Sequence, residues 1–423
     1  MNIAAYPTHE LTSTTQVAHL PVIPSHWEVR RVKYASNLKS EKIASKGCDL
    51  PYIGMENVQS WSGNLLEGGS EVEGLATTFE AGDILFGKLR PYLAKVVKPG
   101  FSGICSSEFL VFQSAKDTFG DFLAYALRSS DFISLINGST YGAKMPRANP
   151  DFIANAEIPF PPLPEQRAIA AFLDNKSAKI DQAVRIKEAQ IKLLRERRQI
   201  LIQQAVTRGL NPDAPMKDSG IDWIGEIPAH WKVWRSKFLF KQSKELARKN
   251  DIQLSATQSF GVISQEKFES LVGRRVVKIS TNLDKRKHVE LNDFVISMRS
   301  FQGGLERAYS TGCIRSSYVI LRPAPEVNPD FFGYLLKTPR YIHALQITGN
   351  FIRDGQDLTF ENFADVDLYV PPYQEQAEIA DHIKHSCDRI DDAIKIKQNQ
   401  IAKLKEYKTT LINAAVTGKI KVS

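Results

Sequence analysis

One segment of this chain is written twice, and that repeat limits the folds open to it more than any other feature. Residues 161–207 align with residues 371–417 without a gap, with about 20 of about 47 positions identical. Pro161-Pro162-Leu163-Pro164-Glu165-Gln166 opens the first copy and Pro371-Pro372-Tyr373-Gln374-Glu375-Gln376 the second. Ala205-Val206-Thr207 and Ala415-Val416-Thr417 close them. An offset of 210 residues is far longer than a solenoid unit, so the chain reads as two similar half-molecules. A second pair of words agrees: Ile23-Pro24-Ser25-His26-Trp27 and Ile227-Pro228-Ala229-His230-Trp231. Each is followed by a basic, apolar-alternating run, Val29–Tyr34 and Val233–Phe238. Their offset is 204, so the second block is about six residues longer, which a loop insertion accounts for.

The repeated segments fit a seven-residue frame. Its a and d positions are Ser177, Ile180, Val184, Lys187, Ile191, Leu194, Arg198, Leu201 and Ala205 in the first copy. In the second they are Cys387, Ile390, Ile394, Lys397, Ile401, Leu404, Lys408, Leu411 and Ala415. Each seam is narrower and longer than a globular core needs, which predicts two long helices packed against each other. Both copies break the seam alike, with Lys187 and Lys397 at one d position and Arg198 and Lys408 at one a position; shared breaks read as register or partner features. A helix from Asp174 to Arg208 would span about 50 Å, the length of about 15 base pairs.

Around these helices the chain divides into a loose leader (1–22), a first block (23–160), the first helical region (161–210), a linker (211–226), a second block (227–370) and the second helical region (371–423). Asn211-Pro212-Asp213 and Asp218-Ser219-Gly220 supply turn signals in the linker. The blocks are β-rich. Gly82-Asp83 and Asn292-Asp293 predict turns, the apolar runs after them buried strands, and the polar stretches beyond those strands loops. Phe122–Leu127 and Phe331–Leu336 have the periodicity of a short amphipathic helix. The fold class is therefore α+β with pseudo-two-fold symmetry: two similar globular domains, β-rich with short helices, and two long helices. A shared scaffold with divergent loops suggests two binding domains with different targets.

The net charge of +8 favours a polyanion partner, although the stretches Asp174–Arg208 and Lys384–Lys421 alone contribute +5 each. No apolar run is long enough for a membrane span, and four scattered cysteines (Cys48, Cys105, Cys313, Cys387) suit a reducing cytoplasm. Val370-Pro371-Pro372-Tyr373 is one letter from the Asn/Asp-Pro-Pro-Tyr motif of amino-methyltransferases, but Val370 cannot accept a hydrogen bond and no glycine-rich cofactor loop follows a strand. His382 and His385, near Asp381 and Cys387, have Phe172 and Asn175 as counterparts in the first copy, so no metal site is expected. His26 and His230 read as hydrogen-bonded partners of packed tryptophans. No catalytic residue is assigned. Polar loop groups suited to nucleic acid remain: Lys88, Arg90 and Tyr92; Tyr141, Lys144 and Arg147; Ser297, Arg299 and Gln302; Arg353, Asp354 and Gln356. Arg and Lys can read guanine, Gln adenine, and Ser, Lys and Arg can hold phosphate.

Taken together, the IP-x-HW openings, the PP-x-x-EQ segments and the AVT endings resemble the specificity subunits of type I restriction–modification systems, in the family's order and over almost the whole chain. Ala415-Val416-Thr417-Gly418-Lys419-Ile420 is the most typical ending, Gly82–Tyr92 looks like the family's recognition-domain core, and Arg208-Gly209-Leu210 departs from the pattern. The resemblance implies two target recognition domains held apart by an antiparallel coiled coil. Each domain would read one half of a split, asymmetric double-stranded DNA sequence. The helix pair, through Ile180, Val184, Ile191, Leu194 and Leu201 against Ile390, Ile394, Ile401, Leu404 and Leu411, would set the unread spacer. Two modification subunits would dock on it, carrying S-adenosylmethionine and methylating adenine; two restriction (motor-nuclease) subunits using ATP and Mg can join. This chain itself would hold no cofactor. The competing readings are a free-standing DNA-binding regulator or coiled-coil adaptor, and a fused methyltransferase that lacks its cofactor loop.

Overall fold

The computed structural model describes residues 3–68, 74–142, 144–276, 285–348 and 358–422. Both repeated segments are long helices, Leu163–Arg208 and Tyr373–Val416. Each starts directly after its Pro-Pro pair, where the fixed φ and missing N–H of proline cost nothing. Each ends on a glycine in the left-handed region, Gly209 at φ +72° and Gly418 at φ +71°. The departing Arg208-Gly209-Leu210 ending is thus the same kind of stop, one residue later in its copy.

The chain forms two compact units: Met1–Ala189 with Lys397–Ser423, and Gln190–Ile396. Each comprises one block together with part of both helices, because each block buries apolar faces from both. In the first unit, Ile169, Ala170 and Leu173 near the start of the first helix join Leu411, Ala415 and Val416 from the end of the second around Trp27 and Phe122. In the second unit, Ile379, Ala380 and Ile383 join Ala205 and Val206 around Trp231, Phe331 and Tyr369.

The two blocks share one strand plan. In the first, Glu28–Arg31 pairs antiparallel with Glu157–Phe160, and a four-stranded sheet runs in the order Ser36–Lys39, Phe109–Ser114, Ile84–Gly87, Val96–Val97. In the second, Lys232–Arg235 pairs with Asp367–Val370, and the sheet order is Phe240–Ser243, Val319–Pro323, Phe294–Ile296, Glu306–Arg307. The predicted turns precede the central strands: Gly82 and Asn292 take positive φ, and buried Asp83 and Asp293 accept the backbone N–H of Glu80 and Glu290 at 2.8 and 2.9 Å. The blocks differ in a second layer. The first has another four-stranded sheet (Lys42–Ala44, Leu75–Phe79, Gly103–Ser106, Tyr52–Ile53); the second has two separate strand pairs.

Two expectations need correction. Residues 1–22 are not a loose leader, and residues 211–226 are more than a linker. Thr12–Thr14 pairs with Val22–Pro24, and Met216–Asp218 pairs with Glu226–Pro228, so both stretches are one repeated hairpin. The first is also held by Lys421 N–H donating to the Pro7 carbonyl and by Tyr6 packed edge-on against Phe172. The helix Gly120–Leu127 is not amphipathic, since Phe122–Leu127 is buried throughout. Leu123, Ala124 and Leu127 face the sheet core while Phe122, Tyr125 and Ala126 face the long helices.

The PP-x-x-EQ words form the joint between block and helix. Gln166, fully buried, donates from Nε2 to the carbonyls of Asp117 and Pro161 and accepts the Phe119 N–H at 2.7 Å. Gln376 repeats this with the carbonyls of Glu326 and Pro371 and the N–H of Asn328. Beside them Glu165 accepts Trp27 Nε1 at 3.0 Å and lies 2.7 Å from His26 Nε2; Glu375 does the same for Trp231 and His230 at 3.1 and 2.7 Å. Along the seam Ile180, Val184, Ile191, Ile390 and Leu411 are buried, and Leu194, Leu201, Ile394, Ile401 and Leu404 half-buried. The shared basic a position is a cross-helix ion pair in each unit. Lys408 Nζ lies 2.7 Å from Asp181, and Arg198 Nε 3.9 Å from Asp391, with the order of partners antiparallel.

Gln166→Ala and Gln376→Ala each leave three buried or part-buried backbone groups without their partner, so each should lower unfolding free energy by about 3 kcal/mol in denaturant titration. A loss below about 0.5 kcal/mol, typical of a surface change, would remove the glutamine joint from the account. Lys408 is buried and Arg198 half-exposed, so Asp181→Ala should cost about 1–3 kcal/mol and Asp391→Ala less than about 1 kcal/mol. Equal losses would contradict the asymmetry.

Candidate nucleic-acid interface

In the first block the two candidate loops meet. The strand Ile84–Gly87 ends at Lys88, whose N–H donates to the Glu108 carbonyl while its own carbonyl accepts from Ala148. Arg90 N–H donates to Pro146 at 2.7 Å, and Tyr141 and Arg147 exchange both backbone hydrogen bonds at 3.1 and 3.0 Å. Residues 88–92 and 141–147 therefore form one surface, and the six residues expected there are brought together. Arg90 sits at φ +50° and Ala94 at φ +46°. A left-handed non-glycine residue costs roughly 1–2 kcal/mol and persists where its surroundings fix it, here the bonds to Pro146 and within Arg90–Ala94. Tyr92 and Tyr141 stand 45% and 63% exposed, with Arg90 and Lys144 exposed beside them. Arg147 differs from the rest: its guanidinium grips Glu108 through Nη2 at 2.9 Å and Nε at 3.1 and 3.2 Å. It anchors the loop to the Ser106-Ser107-Glu108 turn.

In the second block Ser297, Arg299 and Gln302 follow the equivalent strand, Phe294–Ile296. Ser297 N–H donates to buried Ser300 Oγ at 2.9 Å, which starts the short helix Ser300–Gly303 and presents Arg299 and Gln302 to solvent. These side chains line a groove of about 810 Å³. Arg353, Asp354 and Gln356 lie outside the described residues. The same groove carries residues that sequence reasoning did not single out: Gln258, Phe260, Arg274, Arg286 and Arg315. Arg286 is buried with its Nη1 unpartnered among the described residues. The repeat preserves no shared side chain at these positions, so it does not mark them. Guanidinium and amide groups among aromatic side chains suit base edges, phosphates and stacked bases. Val370 ends a strand and packs against the core of its block directly before the Pro-Pro. Among the described residues no cluster of three or more His, Cys, Asp or Glu is placed to hold a metal, and no helix is long and apolar enough to cross a membrane.

The type I restriction modification DNA specificity domain matches residues 24–192. The type I restriction enzyme EcoDI specificity subunit of Escherichia coli is 29% identical over 171 residues, covering 38% of this chain and 37% of that one. The MjaVIII specificity subunit of Methanocaldococcus jannaschii is 23% identical over 430 residues, 95% and 94% of the two chains. Among solved structures, a chain from work on complex assembly and conformational transition of the type I restriction–modification system superposes with TM-score 0.67 at 18% identity, covering 93% and 98%. The HsdS subunit of Thermoanaerobacter tengcongensis gives TM-score 0.52 at 18% identity, covering 94% and 98%. Over almost its whole length the chain is similar to type I restriction enzyme specificity subunits, and its first block matches their DNA specificity domain. The family model ends at residue 192; the second half repeats the strand plan and the joint of the first. The EcoDI subunit is spanned over only about a third of its length, the putative MjaX subunit of M. jannaschii over 60%, and the MjaVIII subunit almost entirely.

The second block also holds a fully buried histidine, His288. Its Nδ1 is 2.8 Å from Asp251 and its Nε2 3.1 Å from Glu290, which also pairs with Arg248 at 2.9 Å. Burial alone pulls the His288 pKa down, but the hydrogen bonds to Asp251 and Glu290 outweigh it and the net shift is upward from 6.5. A raised folded pKa stabilises the fold fully below the unfolded value and loses that effect as pH rises through the folded value. The melting-temperature gap between the native subunit and His288→Gln should be widest below about pH 6.5 and narrow toward alkaline pH. A gap that widens with pH would contradict the charged-imidazole assignment.

Proposed function

We propose that this chain is the DNA-reading, non-catalytic scaffold of a type I restriction–modification complex. Each block reads one half of a bipartite, asymmetric double-stranded target, and the helix pair fixes the unread spacer and docks two modification subunits. Those partners would supply S-adenosylmethionine and adenine methylation; restriction subunits, with ATP and Mg, would join the same assembly in the cytoplasm. The observation that carries this reading is the position of the unlike loops. They follow the same central strand in both blocks, Lys88–Tyr92 in one and Ser297–Gln302 in the other, on a sheet of the same strand order. A common scaffold with different side chains at one place is what two different half-sites require.

Footprinting of the subunit bound to its modification partners should show two protected patches flanking a spacer whose sequence is indifferent. Within that complex, Arg299→Ala should weaken binding by about 1–3 kcal/mol and relax base preference in one half-site only. A single contiguous site, or an Arg299→Ala effect spread equally over both halves, would overturn the reading.

A further inference from the structure

The two halves keep one exposed element that the reading loops do not use. Val32–Ala35 and Ser236–Leu239 are short helices at equivalent places, directly after the strands that follow His26-Trp27 and His230-Trp231. In each, the flanking positions are buried: Val32 and Ala35 in one, Ser236 and Leu239 in the other. The two middle residues point outward. Tyr34 is 62% exposed and Phe238 63%. Lys33 Nζ lies 5.3 Å from the Tyr34 ring centroid, and Lys237 Nζ 5.3 Å from that of Phe238. Among the described residues neither ammonium has a carboxylate within 4.0 Å. Both helices are fixed rather than free-standing. Val32 N–H donates to the Ala156 carbonyl and Ser36 Oγ to Val32, while Ser236 N–H and Oγ donate to Val366. Each also packs against the helix that follows the second candidate loop of its block, Pro150–Asn155 or Phe360–Ala364.

A binding partner that differs between the halves is met by different residues, as the reading loops show. A partner that is identical in both is met by the same chemistry twice. Base pairs differ between half-sites; the sugar–phosphate backbone does not. Lysines with no carboxylate partner among the described residues, with exposed Arg31 and Arg235 just before them (Arg235 4.0 Å from Asp367), select a polyanion, and an exposed aromatic ring suits the apolar face of a sugar. We propose that Lys33–Tyr34 and Lys237–Phe238 are twin backbone clamps that grip DNA beside each half-site without reading sequence. The proposal rests on the DNA-reading function above.

The test uses the complete complex with its modification subunits and compares Lys33→Gln/Tyr34→Ala, Lys237→Gln/Phe238→Ala and the fourfold variant by equilibrium binding across a salt series. Each pair should weaken binding roughly three- to tenfold and flatten the slope of log K against log salt by about 0.9 per lysine removed. The loss should be equal for the intended target and for targets altered in either half-site, so the specificity ratio stays unchanged. Lys33→Arg and Lys237→Arg should restore the slope, and melting temperature and recovery of the intact complex should not change. Unchanged affinity and slope, or altered base preference, would overturn the clamp. Loss of the modification subunits from the variant complex would also overturn it, by making the element a protein-docking surface. A native complex with no bipartite preference would instead overturn the DNA-reading function itself.

Discussion

A single buried glutamine at the start of each long helix is the interaction on which the rest of the structure depends. Gln166 and Gln376 each satisfy three backbone groups that would otherwise be orphaned, two of them in the connection that leads into the block's buried helix. The neighbouring glutamate ties the same turn to a tryptophan and a histidine at the opposite end of the block. Hydrogen bonds of this kind contribute little net energy when made, yet breaking them leaves buried polar groups without water, which makes the geometry close to obligatory. The direction in which each helix leaves its block is therefore a property of about four side chains rather than of the loops.

Under the proposed function, that division would let a duplicated chain serve two different targets. The joint, the central sheet, the turn aspartates Asp83 and Asp293 and the ion pairs Asp181–Lys408 and Asp391–Arg198 are common to both halves. What lies beyond the central strand is not: a strained, tyrosine-bearing loop braced by Arg147 on Glu108 in the first block, and a short helix over an arginine-rich groove in the second. Divergence lies in these loops and in the second layer of strands, outside the shared joint and central sheet.

The helices, their seam and the equivalence of the halves are legible in the sequence because each depends on spacing that a repeat preserves. The turn–strand–loop units are legible for the same reason. The repeated hairpins are not, since Thr12-Ser13-Thr14 and Met216-Lys217-Asp218 are exposed strands with no apolar alternation to mark them. The burial of Phe122–Leu127 on every side is hidden too, because a helix clamped between sheet and coiled coil has no polar face to reveal its second partner. In the first block the six expected loop residues do come together, but the commitment of Arg147 to Glu108 depends on a pairing across 39 residues that no local pattern encodes. Arg286 and Arg315 flank the strand pair Lys287–Val289 and Gly312–Ile314, which matches Leu75–Phe79 and Gly103–Ser106 of the first block in position but not in side chains, so the repeat does not mark them.

Under the proposed function the repeated helices measure while the blocks read. Insertion of one heptad at equivalent points, after Gln190 and after Gln400, would lengthen both helices by about 10.5 Å, close to three base pairs. Sequencing of methylated adenines in DNA modified by that complex should return the same two half-sites with a spacer about three base pairs longer. Altered half-sites with an unchanged spacer would contradict the claim.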